Sequence, residues 1–506
     1  MELPTLLCII ALIWFTTTTI IKPLHRRRSP PPNLPPGPTG LPIIGSLHHL
    51  GRHPHVSLTT LSTLHGPLFT LHLGSTTTVV ASSPSTAKLI LHHHDQTFSD
   101  RTVPDVITSQ PNPNSTLAWV SGDHRWRLRR RICVTQMFNS QSLDLLQHLR
   151  HQKAKELVAH ISKHADLASP VDIGRVSFAT TLNLISSSIF SCDMVDSEFE
   201  KAQEFKDLVW RIMEDAGKVN LSDYFPVMKR FDLQGVKRHI RPAYVRLHEI
   251  FDEVIDKRVR EREGLDLGEK SGERNRDFLD VLLDQCEEDG SDFNRETIKP
   301  LILDLFIAGS DTSAITTEWA MAELLRNPSL LQKCRQELLQ TIGTQQTKPL
   351  KESDVLSLPY LQAIVKETMR LHPPVPLLLP YKARNDVELL GFTIPKDTQV
   401  LVNAWAIGRD PEYWDNPTSF VPERFFDCGV DYKGRDFEYI PFGAGRMICP
   451  GIPLAIRMVH LMVGSIVQAF DWKLPEEMRS EELNMEEQFG VTLKKAVPLL
   501  AIPILE

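Results

Sequence analysis

Apolar side chains recur every three to four residues over 205–213, 243–262, 295–326, 330–342 and 452–470. That spacing gathers them on one face of an α-helix. Strand-like patterns are rarer. The stretches 68–73 and 76–81 flank Gly74 and Ser75 and predict a β-hairpin, and 399–403 is one further short apolar run. The polar run 261–277 predicts an exposed loop between helices. No internal repeat interrupts this pattern. It predicts one mainly α domain over 39–506, a large helical body with a small β portion.

The N-terminal pattern is different. Residues 3–21 carry no charged side chain, a run long enough to cross a hydrocarbon core. A retained transmembrane anchor and a cleaved signal peptide both use such a run. Here Glu2 precedes it, and Lys22, Arg26, Arg27 and Arg28 follow it. That charge order favours the anchor and puts the remainder on the cytosolic side. Over 22–38 the chain is basic and then proline-rich, which predicts a stiff, extended hinge.

Composition narrows the class. Of 506 residues 42% are hydrophobic and 24% charged, which excludes a disordered chain. The net charge of −7 argues against nucleic-acid binding through bulk positive charge. The 7 cysteines are odd in number and contain no C-x-x-C, which excludes a dense disulfide framework and a cysteine-rich zinc module.

Candidate chemistry sits at four places. The stretch 441–451, PFGAGRMICPG, leads directly into the apolar pattern 452–470. Gly443, Gly445 and Gly451 let backbone approach a flat, bulky partner. Cys449 stands just ahead of a helix N-terminus, where unpaired N–H groups favour a thiolate. A thiolate at such a loop suits haem iron; an ordinary buried cysteine is the competing reading. The stretch 308–313, AGSDTS, interrupts an apolar helical pattern. Asp311 and Thr312 there can relay protons to a bound oxygen ligand, or the cluster can end one helix and cap the next. Glu367 and Arg370 share a helix face. Most such pairs are solvated, and Arg424, in the PERF string 422–425, is the candidate to complete a buried network. Trp126 and Arg130 align an indole N–H with a guanidinium, a pair able to hold a carboxylate. With Arg127, Arg129 and Arg131 alongside, a basic amphipathic helix at a membrane or acidic partner fits the same residues.

In this order the apolar run, the Pro-Pro-Gly-Pro hinge, W-x-x-x-R, AGSDTS, E-x-x-R, PERF and FGAGRMICPG make nearly the whole chain resemble a plant microsomal cytochrome P450. The strings at 204–210, 223–226, 318–324, 402–410 and 484–490 are similar to the geraniol-hydroxylase-like, terpenoid-oxidising family. The resemblance implies a P450 fold behind one N-terminal transmembrane helix. It implies heme b, its iron held by Cys449, with Phe442, Gly445, Arg446 and Gly451 forming the surrounding loop. Arg101, Trp126 and Arg130 match positions that bind the haem propionates. Asp311 and Thr312 match the proton-delivery pair, and Glu367, Arg370 and Arg424 a structural triad. The substrate pocket by family position is Val106, Ile107, Phe306, Ile307, Ala308, Val375, Leu377, Leu378, Val491 and Thr492. The implied activity is monooxygenation of a small lipophilic plant metabolite, a terpenoid first, with phenolic, flavonoid or alkaloid substrates as the alternative. O2 is the oxidant. Electrons come from NADPH through NADPH–cytochrome P450 reductase, in keeping with the lack of a G-x-G-x-x-G after a strand. The implied location is the endoplasmic reticulum membrane, single-pass, in contact with membrane lipid, with the catalytic domain cytosolic.

Two positions depart from the family pattern. Met447 stands where a basic residue is usual, and Tyr381 where Arg or His is usual; Arg446 or the Tyr381 hydroxyl are the candidates to compensate. These departures leave a distant alternative, a membrane-anchored, haem-poor binding protein. Another alternative, a haem enzyme that rearranges or dehydrates its substrate, is disfavoured by Asp311 and Thr312. The run His92, His93, His94 reads as surface polarity, because adjacent histidines on a regular element cannot converge on a metal.

Overall fold

The computed structural model describes residues 33–194, 202–216, 219–266, 276–288, 292–344, 348–426, 428–475 and 478–505. The expected anchor at 3–21, and the hinge up to residue 32, lie outside them.

Ten helices carry the argument: α1 (Pro54–His65), α2 (His124–Ile132), α3 (Gln147–Asp166), α4 (Ile173–Phe190), α5 (Ala202–Ala216), α6 (Val236–Asp266), α7 (Arg295–Arg326), α8 (Pro328–Thr341), α9 (Pro359–Leu371) and α10 (Ile452–Ala469). At the centre is α7. Asn294 caps it by accepting from the Thr297 N–H, and the Thr297 hydroxyl returns a bond to the Asn294 N–H. Its sequence is apolar nearly all round, so the helix is covered on most sides, by α4, α9 and α10 among others.

Gly309, Ser310, Asp311 and Thr312 do not end α7, so the capping expectation for 308–313 is wrong. The threonine hydroxyls turn back onto their own helix instead. Thr312 Oγ1 donates to the Ala308 carbonyl at 2.8 Å, and Thr316 and Thr317 repeat the pattern one turn on. The loop expected over 261–277 is also corrected at its start. Helix α6 continues to Asp266 because its Glu and Arg residues are good helix formers, and Arg258 and Arg262 fasten it to Asp277 and Asp284.

The β portion is small. β1 (Leu68–Leu73) and β2 (Thr76–Ala81) form the expected antiparallel hairpin, Leu68 opposite Ala81. With β3 (Asp100–Arg101), β4 (Tyr381–Lys382) and β5 (Gln399–Val402) they make one sheet in the order β1-β2-β5-β4-β3, with β2 and β5 parallel. The register that matters sets Arg101 opposite Tyr381. A hairpin near the C-terminus, β6 (Glu487–Phe489) and β7 (Leu493–Lys495), turns back onto α7.

Among the described residues α10 alone is long and apolar enough to cross a membrane, yet 67% of it is buried inside the domain. Its apolar faces are matched by α3, α7 and α8, so its hydropathy reflects a core position.

Candidate active site

A cavity of about 320 Å³ opens between α7, the loop ahead of α10, and the segment 101–119. That size suits a small organic molecule. Its floor is the glycine-rich loop. Gly443 is at φ +72, and a Cβ added to it would meet only Leu378 and the Tyr381 hydroxyl, beyond 3.6 Å. Cys449 lies at the same wall, its N–H donating to the Phe442 carbonyl at 3.1 Å. Burial pushes its thiol above the ordinary value, while the N–H groups of Gly451 and Ile452 and the charge of Arg130 pull the other way. Without a bound cation burial therefore wins over the helix terminus; a metal ion at the sulfur supplies the positive charge that makes a thiolate the stable form.

Two cations face this cavity without a carboxylate. Asp123 caps α2 by accepting from the Trp126 N–H at 2.9 Å, and this starts the helix so that Trp126 and Arg130 share one face. The Arg130 guanidinium stands 5.3 Å from the Trp126 ring centre and donates to the Ile448 carbonyl. Arg101, from β3, lies 4.3 Å over the Tyr381 ring and donates to the Leu379 carbonyl; its Nε is buried with no partner among the described residues. Neither arginine meets an acidic side chain among the described residues. An unpaired guanidinium that is buried, like Arg101, or half-buried, like Arg130, is costly. Two of them beside a flat, glycine-lined floor and a cysteine sulfur fit a planar cofactor that brings iron and two carboxylates. Heme b is such a group.

The other loop residues divide. Phe442 and Gly451 line the cavity. Gly445 does not; a Cβ there would lie 1.7 Å from the Leu91 carbonyl oxygen, so this glycine serves the packing of the loop on the segment 89–93. Arg446 is turned outward, 3.5 Å from Asp95, and is not a wall of the cavity. Its expected role as a substitute for Met447 is corrected, since the two neighbours point apart and Met447 is the one that faces the cavity.

Behind the floor Glu367 and Arg370 are fully buried. Arg370 donates through Nε and Nη2 to the carboxylate at 2.6 and 2.8 Å, and Arg424 Nε adds a third bond at 2.9 Å. Arg370 also donates to the carbonyls of Gly408, Pro417 and Ser419, and so ties the loop 408–424 to α9.

Opposite the floor, Ala308, Asp311 and Thr312 line the cavity from α7. Asp311 accepts from Thr492 Oγ1 at 2.7 Å and lies 3.4 Å from Lys494 Nζ, both on the C-terminal hairpin. Burial raises the Asp311 carboxyl above its ordinary value, against the pull of Lys494 and Thr492. Lys494 and the hairpin's anchoring were not read from the sequence. The hairpin is fixed at Glu487, which accepts from His55 Nε2 at 2.8 Å and from Trp405 Nε1 at 3.3 Å.

Of the expected pocket residues, Ile107, Ile307, Ala308, Val375, Leu378, Val491 and Thr492 line the cavity. Val106, Phe306 and Leu377 do not, and these three expectations are corrected. Phe306 is two positions from Asp304 and Ala308, hence on the opposite face of α7, where it packs among Phe190, Phe205 and Phe251. Leu377 belongs to a separate cluster with Leu58, Leu71 and Leu401. Val106 is buried in the main core, and the turn it begins sends Ile107 to the cavity instead. Gln110, Tyr244 and Asp304 also reach the cavity and were missed. For Asp304 a signal existed, a lone acid inside the apolar run 301–307.

A family model described as Cytochrome P450 matches residues 35–500. "Geraniol 8-hydroxylase" of Catharanthus roseus is 47% identical over 93% of this chain and 94% of its own length. The protein of that name from Swertia mussotii is 44% identical over 97% and 98%. "7-ethoxycoumarin O-deethylase" of Helianthus tuberosus is 47% identical over 94% of both chains.

Proposed function

The chain belongs to the cytochrome P450 family, a haem-dependent monooxygenase family, and on that premise we propose that it hydroxylates a small terpenoid, an alcohol of the monoterpene type, at the cytosolic face of the endoplasmic reticulum. The observation that carries the reading is the apolar cavity that joins Cys449 and two unpaired guanidiniums to Asp311 and Thr312. Similarity to two geraniol 8-hydroxylases supports the substrate class.

Heme held between these walls would supply the oxidising chemistry of a monooxygenase, with O2 as oxidant and electrons from NADPH through a reductase, one oxygen atom ending in the product and the other in water. The protein does the rest. Cys449 ligates the iron through its thiolate. Arg101, Arg130 and the Trp126 indole hold the propionates and end their own isolation by doing so. Glu367, Arg370 and Arg424 brace the loop 408–424 against α9. Asp311, held by Thr492 and Lys494, would exchange protons with the cavity side of α7, and the Thr312 hydroxyl would pass them into the cavity. Ile107, Ile307, Leu378 and Val491 exclude water and orient a lipophilic substrate. Residues 3–21 anchor the chain in the membrane, 22–38 form the hinge, and 39–506 the catalytic domain. NADPH–cytochrome P450 reductase docks on the side nearest Cys449.

The likeness to a coumarin deethylase favours a second reading, oxidation of phenolic ethers. One experiment separates the two. Membranes carrying the full chain and a reductase are titrated spectrally with monoterpene alcohols, flavonoids and 7-ethoxycoumarin, and products are identified by mass. Turnover of terpenoid alcohols at the highest kcat/KM is expected. A protein with an intact reduced carbon monoxide spectrum that turned over only phenolics would overturn the terpenoid reading. Loss of membrane retention after deletion of 2–28, with haem intact, tests the anchor.

A further inference from the structure

Most polar groups on the cavity wall have work at the floor or at the Asp311 end, but Asp304, Gln110 and Tyr244 do not. Asp304 is one turn before Ala308 and two before Asp311, on the same face of α7. Its Oδ2 accepts from the Leu117 and Ala118 N–H groups at 2.5 and 2.9 Å. Its Oδ1 bonds to nothing among the described residues, and the carboxyl lines the cavity. Gln110, 5% exposed, lines the same cavity with Oε1 unpartnered. Tyr244 comes from α6, close enough for the Asp304 charge to act on its phenol, and its hydroxyl has no hydrogen bond among the described residues. The turn Ile107–Ser109 that leads into Gln110 packs on α6 beside it. Ile212, Met213 and Leu303 add apolar wall to the same cavity, and the charge of Arg129 acts on Asp304 from α2.

We propose that Asp304, with Tyr244 and Gln110, is a hydroxyl-binding subsite that fixes the alcohol end of the substrate and presents its far end to the Thr312 side of the cavity. The inference rests on the terpenoid-alcohol reading and deepens it. The alcohol O–H donates to Asp304 Oδ1, and its oxygen accepts from the Tyr244 hydroxyl or the Gln110 amide. Burial raises the Asp304 carboxyl to about 6, while the Leu117 and Ala118 N–H groups that it accepts from, and Arg129, favour its charged, accepting form. Eight residues of helix separate Asp304 from Thr312, about 12 Å at 1.5 Å per residue. That matches the reach of an extended acyclic monoterpene. Oxidation therefore falls on carbons remote from the hydroxyl and spares the carbinol carbon.

The test uses the full-length holoprotein and three probes, geraniol, its methyl ether and the corresponding hydrocarbon without oxygen. Kd is read from substrate-induced spectral shifts, and product positions are read by mass spectrometry. A hydrogen bond to a charged acceptor predicts that the wild type binds the alcohol about 10- to 100-fold tighter than the hydrocarbon. Asp304→Leu is expected to erase that ratio without weakening the hydrocarbon, and to scatter the site of oxidation. Tyr244→Phe, which leaves the tie to Leu117 and Ala118 intact, is expected to lower the ratio about 3- to 10-fold. The proposal is overturned if Asp304→Leu weakens all three probes equally, which would make Asp304 a loop tie only. It is equally overturned, whether or not Asp304→Leu folds, if the wild type does not discriminate and Tyr244→Phe changes nothing. Binding without preference would sink this inference alone. A spectrally intact wild type that bound none of the three probes would sink the terpenoid reading with it.

Discussion

The Thr492 hydroxyl donates to Asp311 across 2.7 Å, and so joins the tip of the C-terminal hairpin to the middle of the central helix. Nothing else on the hairpin reaches this carboxylate except Lys494, at 3.4 Å. If Asp311 hands protons into the cavity as proposed, its orientation is set from outside its own helix. Asp311→Asn should then lower product formation by about 10²-fold, the usual size of a general acid–base contribution. Thr492→Val and Thr312→Ala should keep NADPH consumption while product falls and peroxide rises. Product and NADPH that remained in step in all three variants would remove Asp311 and Thr312 from proton delivery.

Cys449→Ala tests the floor of the site. The variant should lose the red-shifted carbon monoxide band of reduced haem and all turnover, because the remaining described cysteines lie off the cavity wall. Oxygenase activity that survived would refute the assignment.

The triad is a stability device. Removing Glu367 strands Arg370, which is fully buried, and breaking a buried pair costs about 3–5 kcal/mol. Glu367→Ala should therefore lower the urea midpoint strongly and cost haem content. Arg424→Ala, at a partner that is partly exposed, should do less.

Met447 faces the cavity while Arg446 turns to Asp95. Met447→Arg should add a charge-assisted bond to a propionate worth about 1.5–3 kcal/mol, and slow transfer of haem to an apo-globin acceptor. Arg446→Ala should leave that rate unchanged. The reverse pattern would mean that Arg446 reaches the cofactor after all.

Acid should loosen the hairpin first. Burial opposes ionisation of Glu487, yet the His372 ring 3.5 Å away, the hydrogen bond from His55 and the charge of Arg409 outweigh it and hold its carboxyl well below the ordinary range. A carboxyl depressed in the folded state stabilises above its unfolded value, near pH 4.3, and that stability is lost as pH falls towards the folded value. Glu487→Gln should lose about 1.5–3 kcal/mol at pH 7 and flatten the dependence of Tm on pH between about 5 and 3. An unchanged slope would assign the acid response to another group.

The sequence and the structure agree where one local pattern is enough. The apolar periodicity of 295–326 predicts one helix, and α7 has those same ends. The hairpin 68–81 turns at Gly74, where φ is +57. The ordered motifs also identified the residues of the floor, because a loop and the helix after it are contiguous in the chain. Three kinds of information were not legible. Which face of α7 meets the cavity depends on what packs behind it, so Phe306 was misread and Asp304 passed over. Arg446 and Met447 are neighbours whose side chains diverge, and a pattern cannot say which one points in. The partnership of Glu487 with His55 links opposite ends of the chain and has no local trace.

That partnership has a consequence for how the enzyme is made. His55 and Glu487 are 432 positions apart, and the hairpin beyond Glu487 carries the groups that position Asp311. A contact of such sequence separation forms late, since it must close a loop that spans most of the domain. On a ribosome adding about 5–20 residues per second, His55 waits tens of seconds for its partner. The wall opposite the floor is therefore finished only after the last strands have left the ribosome. A truncated chain that still contains Cys449 would keep the floor of the site and lack the clasp.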